Sequence, residues 1–277
     1  MVELEEVTFA YPSLQESPRP VFEGLTLSIP RGSYVALMGP NGSGKSTLGK
    51  IIKGLLSPSG GRVKIAGKAL KPGEISLRVG YVFSNPENQI VSSLVEEDVA
   101  FGLGNLGMDP STMAHRVEES LRLVGMEAYR HDSPHHLSGG QQQKVVIAGI
   151  LAMECEVLVL DEPTSMLDLK DREEILHLLQ EIHARGGTLL HITHSFEEAL
   201  RAQDLIFLDQ GRVSFFGPPE EFLAEKTLPE GYRAQFPPIF LLLQGLRERG
   251  HAIPTGIRSG KDLENFLRQL KKVGKKS

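Results

Sequence analysis

The sequence predicts an α/β fold built on a largely parallel sheet, and three observations carry that expectation. A glycine-rich loop, Gly39-Pro40-Asn41-Gly42-Ser43-Gly44-Lys45-Ser46-Thr47, separates an apolar β run (Tyr34 to Met38) from a helix-compatible run (Leu48 to Leu56). It matches the phosphate-loop pattern G-x-x-x-x-G-K-[ST] in the strand–loop–helix setting that pattern requires. Further apolar strands, at Val157 to Leu160 and Thr188 to Thr193, flank an amphipathic helix from Asp168 to Arg185, with Ile175, Leu178, Leu179 and Ile182 on its inner face. Parallel-type strands alternating with helices are the mark of an α/β sandwich.

Bulk properties narrow the function. The chain has 277 residues, enough for one large domain or two modest ones, with 40% hydrophobic and 23% charged residues. Its formal charge of −5 argues against a general nucleic-acid binder. A single cysteine, Cys155, excludes an internal disulfide framework and reads as core filler before a strand. No apolar run reaches the eighteen or so residues a bilayer span needs, and the acidic start, Met1 to Glu6, is not a targeting segment. Membrane association is therefore expected only through a partner.

In chain order, residues 2–9 alternate apolar and acidic positions (Val2, Leu4, Val7, Phe9), the signal of a half-buried strand. Tyr11-Pro12 breaks it and residues 13–20 read as a loop. A second alternating strand over 21–30 (Phe22, Leu25, Leu27, Ile29) leads toward the phosphate loop. A core tyrosine with its hydroxyl satisfied and a ring stacked on adenine suit Tyr11 equally well. After the loop come short strands at 62–66 and 79–83, and a short acidic helix over 94–99. Gly102-Leu103-Gly104-Asn105-Leu106-Gly107 matches the dinucleotide fingerprint but follows a helix rather than a strand, so it reads as a linker. Asp109-Pro110 opens a helix with an N-cap and a first-turn proline, carries an apolar stripe of Val117, Leu121 and Val124, and ends at Gly125. Another helix starts at Ser138-Gly139-Gly140-Gln141 and buries Val145, Ile147, Ile150 and Leu151; a last short strand covers 205–208. From about residue 225 an apolar run, Pro238 to Leu243, leads into a helix ending at Gly250. A final helix from Lys261 to Val273 finishes in Lys271, Lys272, Lys275 and Lys276, a solvated end. That segment is too small to fold alone and is expected to pack on the main body or on another chain.

The chemistry concentrates in three places. Backbone amides of Gly39 to Thr47 wrap phosphates at the positive end of the following helix; Lys45 reaches the β and γ phosphates and the Ser46 hydroxyl ligates Mg²⁺. The strand ending in Asp161-Glu162 delivers one carboxylate for Mg²⁺ and a second that can act as general base on the attacking water. Leu137-Ser138-Gly139-Gly140-Gln141 opens a helix and is a second phosphate-type site in one chain. Paired glycines cost about 1 kcal/mol each inside a helix, so a capping serine alone does not explain them.

With these motifs in view, residues 2–220 resemble the ATP-binding-cassette (ABC) ATPases. Gly39–Thr47 looks like Walker A, Leu137–Gln141 like the signature, Val157–Glu162 like Walker B, Ser165-Met166-Leu167-Asp168 like the D-loop, and Thr193-His194 like the switch histidine. The resemblance implies a RecA-like α/β core with an antiparallel β subdomain and a helical signature subdomain over about 86–152, within an ATPase domain of 1–224. It also implies a head-to-tail dimer, with ATP between one phosphate loop and the partner's signature (Ser138, Gly139, Gly140, Gln141) and D-loop (Asp168). By the same resemblance Tyr11 stacks on adenine, His194 contacts the γ-phosphate, and Lys45, Glu162 and His194 are the catalytic set, with ATP and Mg²⁺ as cofactors.

A narrower resemblance is to the ATPases of energy-coupling factor (ECF) transporters, importers of vitamins or of cobalt and nickel ions. It rests on Val79-Gly80-Tyr81-Val82-Phe83, Asn85-Pro86-Glu87-Asn88-Gln89 and Val95 to Gly102, together with the extension over 225–277, which in that group helps join two ATPase subunits. It implies a membrane coupling subunit, a substrate-binding membrane subunit, and a place on the cytoplasmic face of the membrane. Two positions depart from the family. Ser84 stands where the Q-loop glutamine is usual; its hydroxyl can touch Mg²⁺ or its water but reaches less far, so this site is expected to be less tightly coupled. Lys144 stands where arginine is commoner and gives up a bidentate contact. The rival readings are an ATPase of another cassette importer and a soluble, non-transport cassette protein. The latter usually carries a coiled-coil insertion or a second cassette, and neither is present here.

Overall fold

In the computed structural model the described residues are 1–12, 20–224 and 238–250, with 254, 257, 262–266 and 268 beyond them. Strands β1 (Val2–Phe9) and β2 (Phe22–Ile29) precede β3 (Tyr34–Met38), the phosphate loop and helix α1 (Lys45–Lys53). Strands β4 (Gly60–Ile65), β5 (Lys68–Ala69) and β6 (Val79–Val82) follow. Helices α2 (Val95–Asn105), α3 (Pro110–Leu123) and α4 (Gly139–Ala152) then lead to β7 (Val157–Asp161), α5 (Leu169–Ala184), β8 (Thr188–Ile192) and α6 (Phe196–Ala199). The chain continues through β9 (Asp204–Asp209), β10 (Arg212–Gly217), α7 (Pro219–Ala224) and α8 (Pro238–Glu248).

The strands form a four-stranded antiparallel sheet, β2-β1-β4-β5, and a six-stranded sheet, β10-β9-β3-β8-β7-β6. In the second sheet β9, β3, β8, β7 and β6 are parallel and only β10 runs against its neighbour. The carboxyl ends of β3, β8, β7 and β6 therefore open on one edge, where open α/β sheets bind ligands. The α/β expectation holds.

Burial follows from strand pleat. On β3, Val35 and Leu37 join an apolar core shared with β1, β2 and the Leu48, Ile51 and Ile52 face of α1; Tyr34, Ala36 and Met38 face a second core with α2 to α5. Buried on both faces, β3 reads as a continuous apolar run.

Several expectations need correction. The Gly102–Gly107 stretch is no linker, because α2 runs through Gly102, Leu103, Gly104 and Asn105. Gly102 faces the Met153 side chain at the end of α4, and a Cβ there, 2.6 Å from Sδ, would require that flexible thioether to shift. On α4, Val146 and Ala148 are buried while Ile150 and Leu151 are only half-buried, since α2, α3, α5 and β6 surround it. Strand β10 was not anticipated: Gln210 and Gly211, with φ of 46° and 74°, form the two-residue turn that returns it along β9. Helices α6 and α7 and strand β5 are likewise additions. Cys155 is half-buried, its thiol donating to the Leu77 carbonyl at 3.5 Å, and burial raises its pKa.

In the C-terminal region, Leu243 and Ile257 belong to the same core as Ala199, Ala202 and Phe222, with Leu263 and Phe266 packed against that core. Of the final helix expected over 261–273, residues 262–266 and 268 are described and helical. The lysines at 271, 272, 275 and 276 lie outside the described residues.

Candidate functional site

The phosphate loop is held by glycines that only glycine can replace. Gly44 sits at φ 105°, and a Cβ there would meet the Phe22 ring at 2.7 Å. Lys45 Nζ donates to the carbonyls of Gly39 (2.9 Å) and Pro40 (3.0 Å), which also receives the Ser43 amide. Burial draws the Lys45 pKa below its ordinary value, against the opposing pull of Glu162 and Asp161. Asn41 and Gly42 are exposed, while the Ser43 hydroxyl is buried without a hydrogen-bond partner among the described residues. An orphaned hydroxyl inside a ring of amides fits an anionic phosphate.

Ser46 Oγ donates to Asp161 Oδ1 at 2.9 Å, joining α1 to the end of β7. Tyr81, on β6, donates its hydroxyl to the other carboxylate oxygen at 2.7 Å; burial and the Asp161 charge raise its pKa well above the tyrosine range. Two hard oxygen donors, one anionic, fit a divalent cation such as Mg²⁺. Ser84, half-buried just beyond β6, forms no hydrogen bond with Ser46 or Asp161 among the described residues.

Glu162 adopts left-handed backbone (φ 53°), and its amide donates to the Ile192 carbonyl at 3.0 Å. A non-glycine residue in that conformation points to a functional constraint. Its Oε2 lies 3.5 Å from Nδ1 of His194, and both side chains reach solvent. His194 stands two residues past the end of β8, and the Asp161–Ile192 register brings it beside Glu162. A pocket of about 620 Å³ runs from this pair past Thr164 and Ser165 to Asp168 and Lys170.

Tyr11 is 46% exposed, edge-on to Phe9 (5.0 Å between centroids), with its hydroxyl 3.0 Å from Thr47 Oγ1. That removes the core reading and leaves a ring standing beside the phosphate loop.

The Ser138–Gln141 element lies elsewhere. Ser138 caps α4 in a reciprocal capping box with Gln141. Its Oγ also donates to Asp171 Oδ2 at 3.3 Å, and the Gly140 amide donates to the same oxygen at 3.2 Å. Asp168 caps α5, accepting from the Asp171 amide at 2.8 Å. Lys144 makes an ion pair with Glu174 at 2.5 Å. Among the described residues no hydrogen bond ties Ser138–Gln141 to Gly39–Thr47. Among the described residues, Ser138 and Gly140 bond to α5 and not to the phosphate loop of the same chain.

Sequence reading missed Tyr81, Asp171, Arg172 and Glu198. Nothing in their neighbourhoods along the chain marks them, because each earns its place through a partner brought in by the fold.

The family profile described as ABC transporter matches residues 22–165. The chain is 39% identical over 276 residues to the energy-coupling factor transporter ATP-binding protein EcfA1 of Clostridium novyi (strain NT), covering 98% of this chain and 99% of that one. The chain belongs to the ABC transporter family of ATPases. Among solved structures it is similar to cbiO1 of Clostridium perfringens, described as part of the ABC transporter complex cbiONQ. That match has a TM-score of 0.75 and 34% identity and covers 88% of this chain and 98% of that one. It is also similar to a dimeric post-hydrolysis state of the ATP-binding cassette MJ0796 bound to ADP and Pi, with TM-score 0.69 and 31% identity, covering 79% and 99%. As an ABC ATPase similar to energy-coupling factor ATP-binding subunits, the chain binds ATP and hydrolyses it in coupling to transport. No helix among the described residues is long and apolar enough to cross a membrane.

Proposed function

We propose that this chain is the energising ATPase of an ECF-type importer for a vitamin or a transition-metal ion. It would work head to tail with a second cassette subunit, identical or paralogous, on the cytoplasmic face of the membrane. Its partners there are an integral coupling subunit and a substrate-binding membrane subunit; no nucleic acid takes part. One observation carries the reading: Lys45, Asp161, Glu162 and His194 converge at one sheet edge, while the phosphate-type donors Ser138 and Gly140 are tied to α5. Each chain then holds half of two ATP sites, completed when a partner brings Ser138–Gln141 and Asp168 to the phosphate loop. The dimeric, ADP- and Pi-bound cassette among its structural relatives supports this arrangement.

In this site Tyr11 stacks on adenine, and the amides of Gly39 to Thr47 with Lys45 hold the phosphates. Ser46 and Asp161, with Ser84 at the margin, would hold Mg²⁺, which when bound neutralises charge on the β and γ phosphates. Glu162 takes a proton from the attacking water as its oxygen bonds to the γ-phosphorus and the bond to ADP breaks. His194 orients Glu162 and the γ-phosphate. The 225–277 extension, an unlike module after the 1–224 ATPase domain, is assigned to subunit joining.

The test is to purify the full-length chain from its native membrane and identify what accompanies it. A second cassette with a small integral coupling protein is the expected result. Recovery with a periplasmic-type importer permease, or with no membrane protein, overturns the ECF assignment.

A further inference from the structure

One buried carboxylate reaches the segments that carry Glu162 and His194 and the helix that Asp168 caps. Glu198, on α6, is only 3% exposed. Its Oε1 accepts from Thr164 Oγ1 at 2.6 Å and forms an ion pair with Arg172, Nε standing 2.8 Å away. Its Oε2 accepts from Thr193 Oγ1 at 2.6 Å and lies 3.4 Å from His191 Nε2. Thr164 is two residues past Glu162, and Thr193 immediately precedes His194. Arg172 stands in the first turn of α5, the helix Asp168 caps, and also donates to Ser195 Oγ at 2.6 Å, on the other side of His194. The Thr193 hydroxyl closes the turn by accepting the Ser195 amide at 3.0 Å.

The network continues behind the site. His191 is fully buried on β8, and its Nδ1 lies 3.1 Å from the hydroxyl of Tyr34 on β3, the strand that feeds the phosphate loop. The two nitrogens of the ring thus face Tyr34 on one side and Glu198 on the other. Burial pushes the Glu198 carboxyl up, yet the His191 contact and the Thr164 and Thr193 hydroxyls outweigh it and hold the pKa at about 2. A buried charge with this many donors fixes geometry, since any loop that moves must abandon a charge-assisted hydrogen bond.

We propose that Glu198 is a positioning residue for ATP hydrolysis, locking the Glu162, Asp168 and His194 loops into one body. It keeps Glu162 and His194 at their spacing and makes the Asp168 loop follow the His194 turn. This inference rests on the roles given above to Glu162 and His194.

The test compares steady-state ATP hydrolysis and fluorescent-ATP binding in the full-length ATPase and its Glu198→Gln variant, with Glu162→Gln in parallel. Replacing one oxygen by an amide sets a donor against Arg172 or Thr193. The expected result is a kcat reduced tenfold or more, with KM and ATP binding within twofold of the parent. Arg172→Lys, which keeps the charge but loses the paired contacts to Glu198 and Ser195, should give a smaller, severalfold kcat loss with the same unchanged KM, and serves if Glu198→Gln does not fold. An unchanged kcat, or a kcat loss matched by an equal loss of ATP binding, overturns the proposal. Near-normal turnover by Glu162→Gln would reject the base assignment alone, because the kcat-against-KM split at Glu198 is read independently.

Discussion

The Asp171 carboxylate lies 3.2 Å from the amide nitrogen of Gly140, and a Cβ on that glycine would stand 2.3 Å from Asp171 Cγ. The second glycine of the signature is thus required inside its own chain, before any partner arrives.

Gly140→Ala should therefore destabilise the chain by about 1–3 kcal/mol through overpacking and abolish most turnover. Adding Asp171→Ala should restore the thermal midpoint but not the turnover, because in the proposed dimer the same amide binds the partner's phosphate. If both return, the glycine serves packing only. Thermal unfolding and ATPase rates on the two variants read the outcome.

Tyr81→Phe removes the hydroxyl that holds one oxygen of Asp161. A buried hydrogen bond to a charged group is worth about 1.5–3 kcal/mol, so stability should fall by that order. With Asp161 less firmly aimed at Ser46, the Mg²⁺ concentration for half-maximal turnover should rise severalfold. A magnesium titration showing no shift would contradict the role given to this pair.

How much of this was legible in the sequence depends on how far apart the partners lie along the chain. Gly39 to Thr47, Asp161-Glu162 and His194 sit in short patterns whose flanking β runs are visible, so both the fold class and the crevice residues could be read directly. Arg172 and Glu198 belong to different helices and meet only after β8 has entered the sheet, so no local pattern announces them. The reverse error occurred at Gly102, where a glycine within a helix resembled a loop residue. At Gln210-Gly211 the turn lacks the Asn-Gly or Asp-Gly pair that flags a hairpin, and β10 was lost with it.

Ser84→Gln tests the family departure. A carboxamide reaches farther than the serine hydroxyl toward the metal and its water, so ATP turnover should rise. An unchanged rate would remove the idea that this position weakens coupling.

The acid limb of stability follows from Glu198. Its pKa is about 2 in the folded chain against an ordinary 4.5, so the unfolded chain binds the proton more readily. The stabilisation is complete above about pH 4.5 and is lost as pH falls from there toward about 2. Glu198→Gln has no such proton to bind, and its thermal midpoint should decline less steeply over that window than the parent's. Parallel curves would show that the carboxylate gains nothing from its partners.

The most direct measurement is ATP hydrolysis by the Glu162→Gln chain under conditions where the parent turns over, with bound ATP quantified alongside. Loss of a positioned general base typically costs about 10²–10⁴-fold in rate. The geometry of Glu162 and His194 predicts a loss of that size with ATP binding retained; turnover close to the parent's would contradict the account.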